Sequence, residues 1–239
     1  MLRNEFLNTV NKILNSRNDN EEKRRFEIIK GYILQLNEDE EINANKLIKK
    51  WALVELNTVT NEDGYFKEFV KIIDQVETCA ETEIFYLLKG KQVSCLHALG
   101  TTETWTWLAG KEISLFVAIN QEFKEIILNE TNPSFTIEKD TFFGAKINNQ
   151  KNDNDFGLVT CLCKPGFIPE HYKNPSLEEL DNLCKVFPSN EKIINELTPK
   201  LLKNNNTIMQ SIIQFFTCCI GIKKIEDEQT ALINRPQNN

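Results

Sequence analysis

A chain of 239 residues, 41% of them hydrophobic, is long and apolar enough for one domain with extensions or for two small ones. Its 28 basic and 35 acidic residues leave a net charge of -7, which offers no counterion-release attraction and argues against a nucleic-acid partner. Seven cysteines, at 79, 95, 161, 163, 184, 218 and 219, lack paired metal-ligand spacing and are expected to be reduced, mostly buried thiols of a cytoplasmic protein.

The segment MLRNEFLNTV carries charges where a secretion signal needs an apolar centre, so no signal peptide is expected. Residues 1–44 read as helical: Leu2, Phe6, Val10, Ile13 and Leu14 form one apolar face, and Phe26, Ile29, Ile33 and Leu36 another. Polar breaks fall at 16–20 and 37–41. Near residue 50 the pattern changes to short, closely spaced runs rich in β-branched and aromatic residues. These are 66–73, 83–88, 92–99, 103–108, 113–119, 123–128, 135–137, 142–147 and 156–163. Lys89-Gly90-Lys91 and Gly100-Thr101-Thr102 look like hairpin turns. Many short strands joined by polar turns predict an antiparallel sandwich or barrel.

Helix returns at 176–185, where Ser176 and Glu179 have capping-box spacing, and again over 190–197. Residues 201–239 form an appendage. Its apolar run 208–222, with Cys218 and Cys219, is too short to span a bilayer but suits an interfacial or S-acylated segment, or a helix docked on the barrel or on a partner. The frequent asparagines, as at 204–206, read as compositional bias.

The stretch from Cys95 to Gly110, CLHALGTTETWTWLAG, carries the chemistry. His97, Glu103 and Gly110 fit a strand, a tight turn and a return strand that aim both polar side chains into one interior. The same parity turns Trp105 and Trp107 inward. There they either stack on a ligand or fill the core.

These residues also match a known pattern. His97, Glu103 and Gly110 resemble the first motif of cupin barrels, with Leu99 at the place of the second histidine. From about Leu47 to Thr198 the chain resembles the cupin-5-like subfamily of the cupin superfamily. The matching blocks are Glu62-Asp63-Gly64-Tyr65-Phe66-Lys67-Glu68, Thr82 to Leu88, His97 to Gly110, Leu158 to Cys161 with Pro165-Gly166-Phe167, and Phe187-Pro188 with Leu197-Thr198. The resemblance implies a mainly β fold, a double-stranded β-helix of jelly-roll type, and a homodimer. The fold would occupy 45–200, behind a helical N-terminal extension of 1–44 and followed by the 201–239 appendage.

The departures bear on function. The subfamily usually has histidine where this chain has Thr106, the position of the last cupin metal ligand is Phe143, and the opening arginine is Lys67. A cupin metal takes three or four ligands, imidazoles plus a carboxylate. His97 and Glu103 supply two, and the second histidine, His171, is expected on a surface loop. No metal and no other cofactor is therefore expected. No nucleophile elbow or phosphate loop appears, and nine glycines leave little room for a glycine-rich cradle.

His97 and Glu103, facing one another, are the candidate catalytic pair, able to shift each other's pKa and move a proton. Related jelly-roll sugar-nucleotide epimerases use a barrel histidine as base without metal, and a structural hydrogen-bonded pair is the alternative. Tyr65, Lys67, Tyr86, Trp105, Trp107 and Phe143 are candidate ligand-binding residues. The expected function is a metal-free small-molecule-binding cupin of unassigned ligand. The alternatives are a metal-independent epimerase or isomerase with His97 as base, and a scaffold that works through its terminal segments.

Overall fold

The computed structural model describes residues 1–15, 20–56, 62–74, 78–200 and 202. The expected helical start comprises α1 (Arg3–Asn15) and α2 (Asn20–Leu34). A third helix, α3 (Ala44–Trp51), stands where the sequence pattern changes character. Its ends explain it. The Asn43 side chain accepts from the Lys46 N–H at the start, and Ala52, left-handed at φ 52°, closes the other end on Ile48 O. Leu47 and Trp51, one turn apart, are fully buried.

Eleven strands follow among the described residues. They are β1 (Val54–Glu55), β2 (Tyr65–Ile73), β3 (Cys79–Lys89), β4 (Val93–Leu99), β5 (Thr102–Gly110), β6 (Ile113–Ile119), β7 (Glu122–Leu128), β8 (Ser134–Ile137), β9 (Phe143–Ile147), β10 (Phe156–Lys164) and β11 (Tyr172–Lys173). They pair antiparallel in two sheets, ordered β1-β2-β3-β10-β5-β8 and β11-β4-β9-β6-β7. In each sheet a late strand lies between two early ones, as in a jelly roll, and the fold is the expected mainly β, cupin-type sandwich. The capping box forms as predicted: the Ser176 hydroxyl accepts from Glu179 N, the Glu179 carboxylate accepts from Ser176 N, and α4 (Leu177–Val186) follows. A last short helix, α5 (Glu191–Leu197), buries Ile194 and Leu197.

Strand parity sorts the side chains into two cores. Between the sheets lie Tyr86, Leu88, Trp105, Trp107, Leu115, Val117, Phe143 and Val159. On the outer face of the first sheet, Phe85, Leu87, Leu108 and Leu158 meet Phe6, Val10, Phe26, Ile29, Ile33, Leu47 and Trp51 from the helices. The Phe85 ring packs between Phe69, at 4.2 Å, and Trp51, at 4.7 Å, and Trp51 Nε1 donates to Tyr32 O at 3.0 Å. Helices α1, α2 and α3 thus cover the apolar part of this outer face, and burial of each large side chain contributes about 1.5–3 kcal/mol.

Gly110 ends β5 at φ 87°, a left-handed backbone in which a Cβ would stand 2.3 Å from Phe156 O, so the turn into β6 requires glycine. Met1–Pro199 makes one compact unit. Of the second, Lys200–Asn239, only residues 200 and 202 are described, and the apolar run 208–222 lies outside the described residues. Among the described residues, no helix is long and apolar enough to cross a membrane. The five cysteines described there are free thiols, with Cys95, Cys161 and Cys163 buried.

Candidate functional site in the barrel interior

Strands β4 and β5 do not form the hairpin expected from the turn at 100–102. Strand β4, with His97, lies in the five-stranded sheet and β5, with Glu103, in the six-stranded one, so the short link between them crosses from sheet to sheet. This link is held from outside: the Thr101 hydroxyl donates to Pro165 O, and Gly100 N donates to His171 O at 2.8 Å. Parity points both polar side chains inward, leaving His97 4% and Glu103 7% exposed.

They do not hydrogen-bond to one another. His97 Nδ1 lies 2.9 Å from Glu62 Oε1 and 2.7 Å from Cys95 O, so its proton is shared between a carboxylate and a carbonyl. Glu62 is buried too, and its Oε1 also accepts from the Ser94 hydroxyl at 3.1 Å. Glu103 instead accepts from Trp105 Nε1 at 2.8 Å and has the Cys163 thiol 4.0 Å from its other oxygen.

The charges follow from these neighbours. Burial alone would keep the imidazole neutral, but the Glu62 carboxylate, with Glu103 behind it, lifts His97 from 6.5 to about 9. Burial raises Glu103 from 4.5 to about 7, with His97 and the Trp105 N–H pulling the other way. Burial likewise drives the Cys161 and Cys163 thiols upward, so neither presents a thiolate near neutrality. At pH 7 the interior therefore holds an imidazolium and a carboxyl near its midpoint. An imidazolium has no lone pair to accept a proton.

Aromatic rings wall this cluster. The His97 ring stacks on Tyr172 of β11 at 5.1 Å and 18°, and Phe143 lies 4.2 Å away. Tyr86 meets Trp105 edge-on at 5.5 Å and donates its hydroxyl to Asp63 O at 2.8 Å. Of the expected ligand-binding residues, the fold brings Tyr86, Trp105 and Phe143 to His97 and Glu103. Trp107 shares their core but spends its Nε1 on Lys111 O at 3.0 Å.

Tyr65 and Lys67 lie elsewhere. On β2 it is Phe66 that faces the interior. Tyr65 packs against the helices, and Lys67 Nζ donates to Trp51 O at 2.8 Å beneath the Tyr32 ring. Their work is to tie α2 and α3 to the sheet. Thr106 also faces outward, among the hydroxyls of β8. His171 is half-buried in a short turn beside Gly100 rather than on a surface loop, with no hydrogen bond at its buried Nδ1. Glu62 is the residue that reasoning from spacing missed. It stood in view in the block that opens β2, but no spacing rule links the start of β2 to the middle of β4.

The residues do not fit a cupin metal. Leu99 and Phe143, 5% and 1% exposed, put carbon at the other two ligand positions. Among the described residues, no three of His, Cys, Asp and Glu converge on a point that suits an ion.

The fold has known counterparts. A hypothetical protein from Leishmania major matches 66% of this chain over 100% of its own length, at 23% identity and a TM-score of 0.54. A protein from Shewanella oneidensis, solved by X-ray crystallography, matches 66% over 98% of its own length, at 23% identity and a TM-score of 0.53. No protein of curated function matches the chain in sequence. The family model described as Cupin superfamily (DUF985) matches residues 45–174, which is β1 to β11 together with α3. With the antiparallel sandwich beneath that match, and His97 and Glu103 turned into its interior from its two sheets, the chain belongs to this cupin family.

Proposed function

We propose that this chain is a small-molecule-binding cupin that works without a resident metal, its barrel interior taking a ligand that carries a carboxylate or a carbonyl oxygen. The observation behind this reading is the buried His97 ring, 2.9 Å from the Glu62 carboxylate that favours its charged form, in an interior walled by aromatic rings. Nδ1 is engaged by Glu62 and Cys95, so recognition at the ring falls to Nε2–H. A donor bearing positive charge in a dry site binds an oxyanion strongly. Tyr172 stacks on this ring, so the ligand reaches it when β11 swings away. That strand has two residues and two register pairs, Tyr172 with Leu99 and Lys173 with Ala98, and it lies at the sheet edge.

Native mass spectrometry of the purified chain, followed by denaturation of the same sample, tests this. A released small molecule that is absent from His97→Gln supports the pocket. A bare wild-type chain, with no adduct after incubation with a set of short carboxylic acids, counts against it.

A second reading rests on the pair of titrations, about 7 for Glu103 and about 9 for His97. Between those values a carboxylate base and an imidazolium acid coexist, as a proton-transferring isomerase needs. Exchange of a ligand C–H for solvent deuterium, lost in Glu103→Gln, would separate turnover from binding.

A further inference from the structure

Away from the barrel interior, the outer face of the first sheet is apolar under the helices and turns polar past Leu108 and Leu162. There α2 and strands β3, β5, β8 and β10 enclose a cavity of about 310 Å³. Its floor is a patch of five hydroxyls: Thr104, Thr106, Ser134, Thr136 and Thr160. They pair across strands, with Thr104 and Thr136 at 2.9 Å and Thr106 and Ser134 at 3.1 Å. Helix α2 supplies an apolar edge, Phe26 and Ile29, and one charged group, Arg25.

Arg25 is 7% exposed. Its Nη2 is tied to Glu81 and, at 3.2 Å, to Glu21. Its Nε makes no hydrogen bond, and the Glu83 Oε2 that faces it stands 3.7 Å away, beyond hydrogen-bond length. A buried N–H of a cation without an acceptor is costly. The group that fits this gap accepts from Nε–H and donates to a carboxylate at once. A hydroxyl does both, whereas a carbonyl only accepts and an ammonium only donates. The floor hydroxyls have the same dual character.

Charge narrows the class further. Glu21, Glu22, Glu81 and Glu83 surround Arg25 and Lys164, whose Nζ lies 2.7 Å from Glu81, so the surroundings are net negative and repel an anion. The volume lies at the lower end of ligand pockets, enough for a single ring.

We propose that this outer cavity binds a neutral polyhydroxylated ring the size of a monosaccharide or cyclitol. One hydroxyl bridges Arg25 Nε and the Glu83 carboxylate, the threonine and serine floor reads the others, and Phe26 covers an apolar ring face. The site is independent of the barrel interior, from which the backbone of β5 and β10 separates it.

Calorimetry and saturation-transfer NMR on the full chain with D-glucose, D-mannose and myo-inositol test the proposal, with tetrahydropyran and glucuronate as comparators. At least one of the three polyols binds in the low-millimolar range, and tetrahydropyran and glucuronate bind at least about tenfold more weakly. Thr106→Val and Thr160→Val each weaken binding about tenfold, and Ser134→Ala, at a half-exposed position, provides a variant that disturbs packing less. His97→Gln, on the other side of the sheet, leaves this binding as it was. No signal from any of the three polyols at tens of millimolar overturns the proposal. So does binding that survives all three floor variants, or binding that disappears with His97.

Discussion

Replacing Glu62 by glutamine removes one charge from the interior while keeping the side chain's shape. In the native chain His97 rises from 6.5 to about 9 because the Glu62 carboxylate sits 2.9 Å from Nδ1. At about 1.4 kcal/mol per pH unit this corresponds to on the order of 3 kcal/mol of stability held by the imidazolium. The folded pKa lies above the unfolded one, so this contribution is complete below pH 6.5 and is lost as pH rises through 9. Glu103, raised from 4.5 to about 7, also loses stability with rising pH, but between those two values. The window from 7 to 9 therefore isolates His97. In Glu62→Gln burial dominates and the imidazole stays neutral, so urea denaturation should show a loss of about 3 kcal/mol at pH 6.5 that shrinks toward pH 9.5. The native chain should weaken steadily across that window, and the variant should be nearly flat. Only two histidines are present, so an NMR titration assigns His97 directly. A native His97 that titrates at or below 6.5 would refute the pairing.

The other predictions concern the frame of the site. A chain beginning at residue 45 loses Phe6, Val10, Phe26, Ile29 and Ile33 from the outer core, and at about 1.5–3 kcal/mol each this rivals a whole domain's stability. Such a chain should aggregate or lose cooperative unfolding by circular dichroism. A cooperative, monomeric product would show that the helices are dispensable. Gly110→Ala should cost about 2–3 kcal/mol in urea denaturation, because φ 87° and the Phe156 carbonyl both oppose a Cβ. Ser176→Ala should cost about 1 kcal/mol through the lost capping box, measured the same way. Millimolar Mn(II), Ni(II) or Zn(II) should leave the melting temperature of the native chain unchanged, since Leu99 and Phe143 offer no ligand atoms; a clear rise with any of them would reveal a site these residues do not account for.

Much of the fold was legible because its signals are local. Each run of alternating apolar residues became a strand, and Ser176 with Glu179 marked α4 to within a residue. Helix α3 escaped because its signals, Asn43 as cap and Leu47 with Trp51 on one face, crowd into two turns beside a strand-like region. The interior was legible where parity governs it, since His97, Glu103 and Trp105 all turn inward. The expected hairpin was not, because β4 and β5 join opposite sheets and a tight link reads alike whether the chain folds back or crosses over. Tyr65 and Lys67 failed by that same parity in reverse. A match to a family block says that a residue matters, whereas strand parity decides which face it serves, and on β2 the inward place belongs to Phe66. Glu62 depends on tertiary folding alone, since its partner lies on another strand.

Helices over the outer face turn the first sheet into a partition with tenants on both sides. Along β5 the residues alternate between them: Glu103, Trp105 and Trp107 serve the inner compartment, Thr104 and Thr106 the outer. Neighbours in sequence thus answer to different chemistry, and a substitution at one need not disturb the other. The outer core also supplies cohesion that the inner one, with Glu62, His97 and Glu103 buried in it, has to spend. A barrel braced from outside can exchange its ligand positions for leucine and phenylalanine, or carry an acid, a base and a second acid at its centre, and still stand.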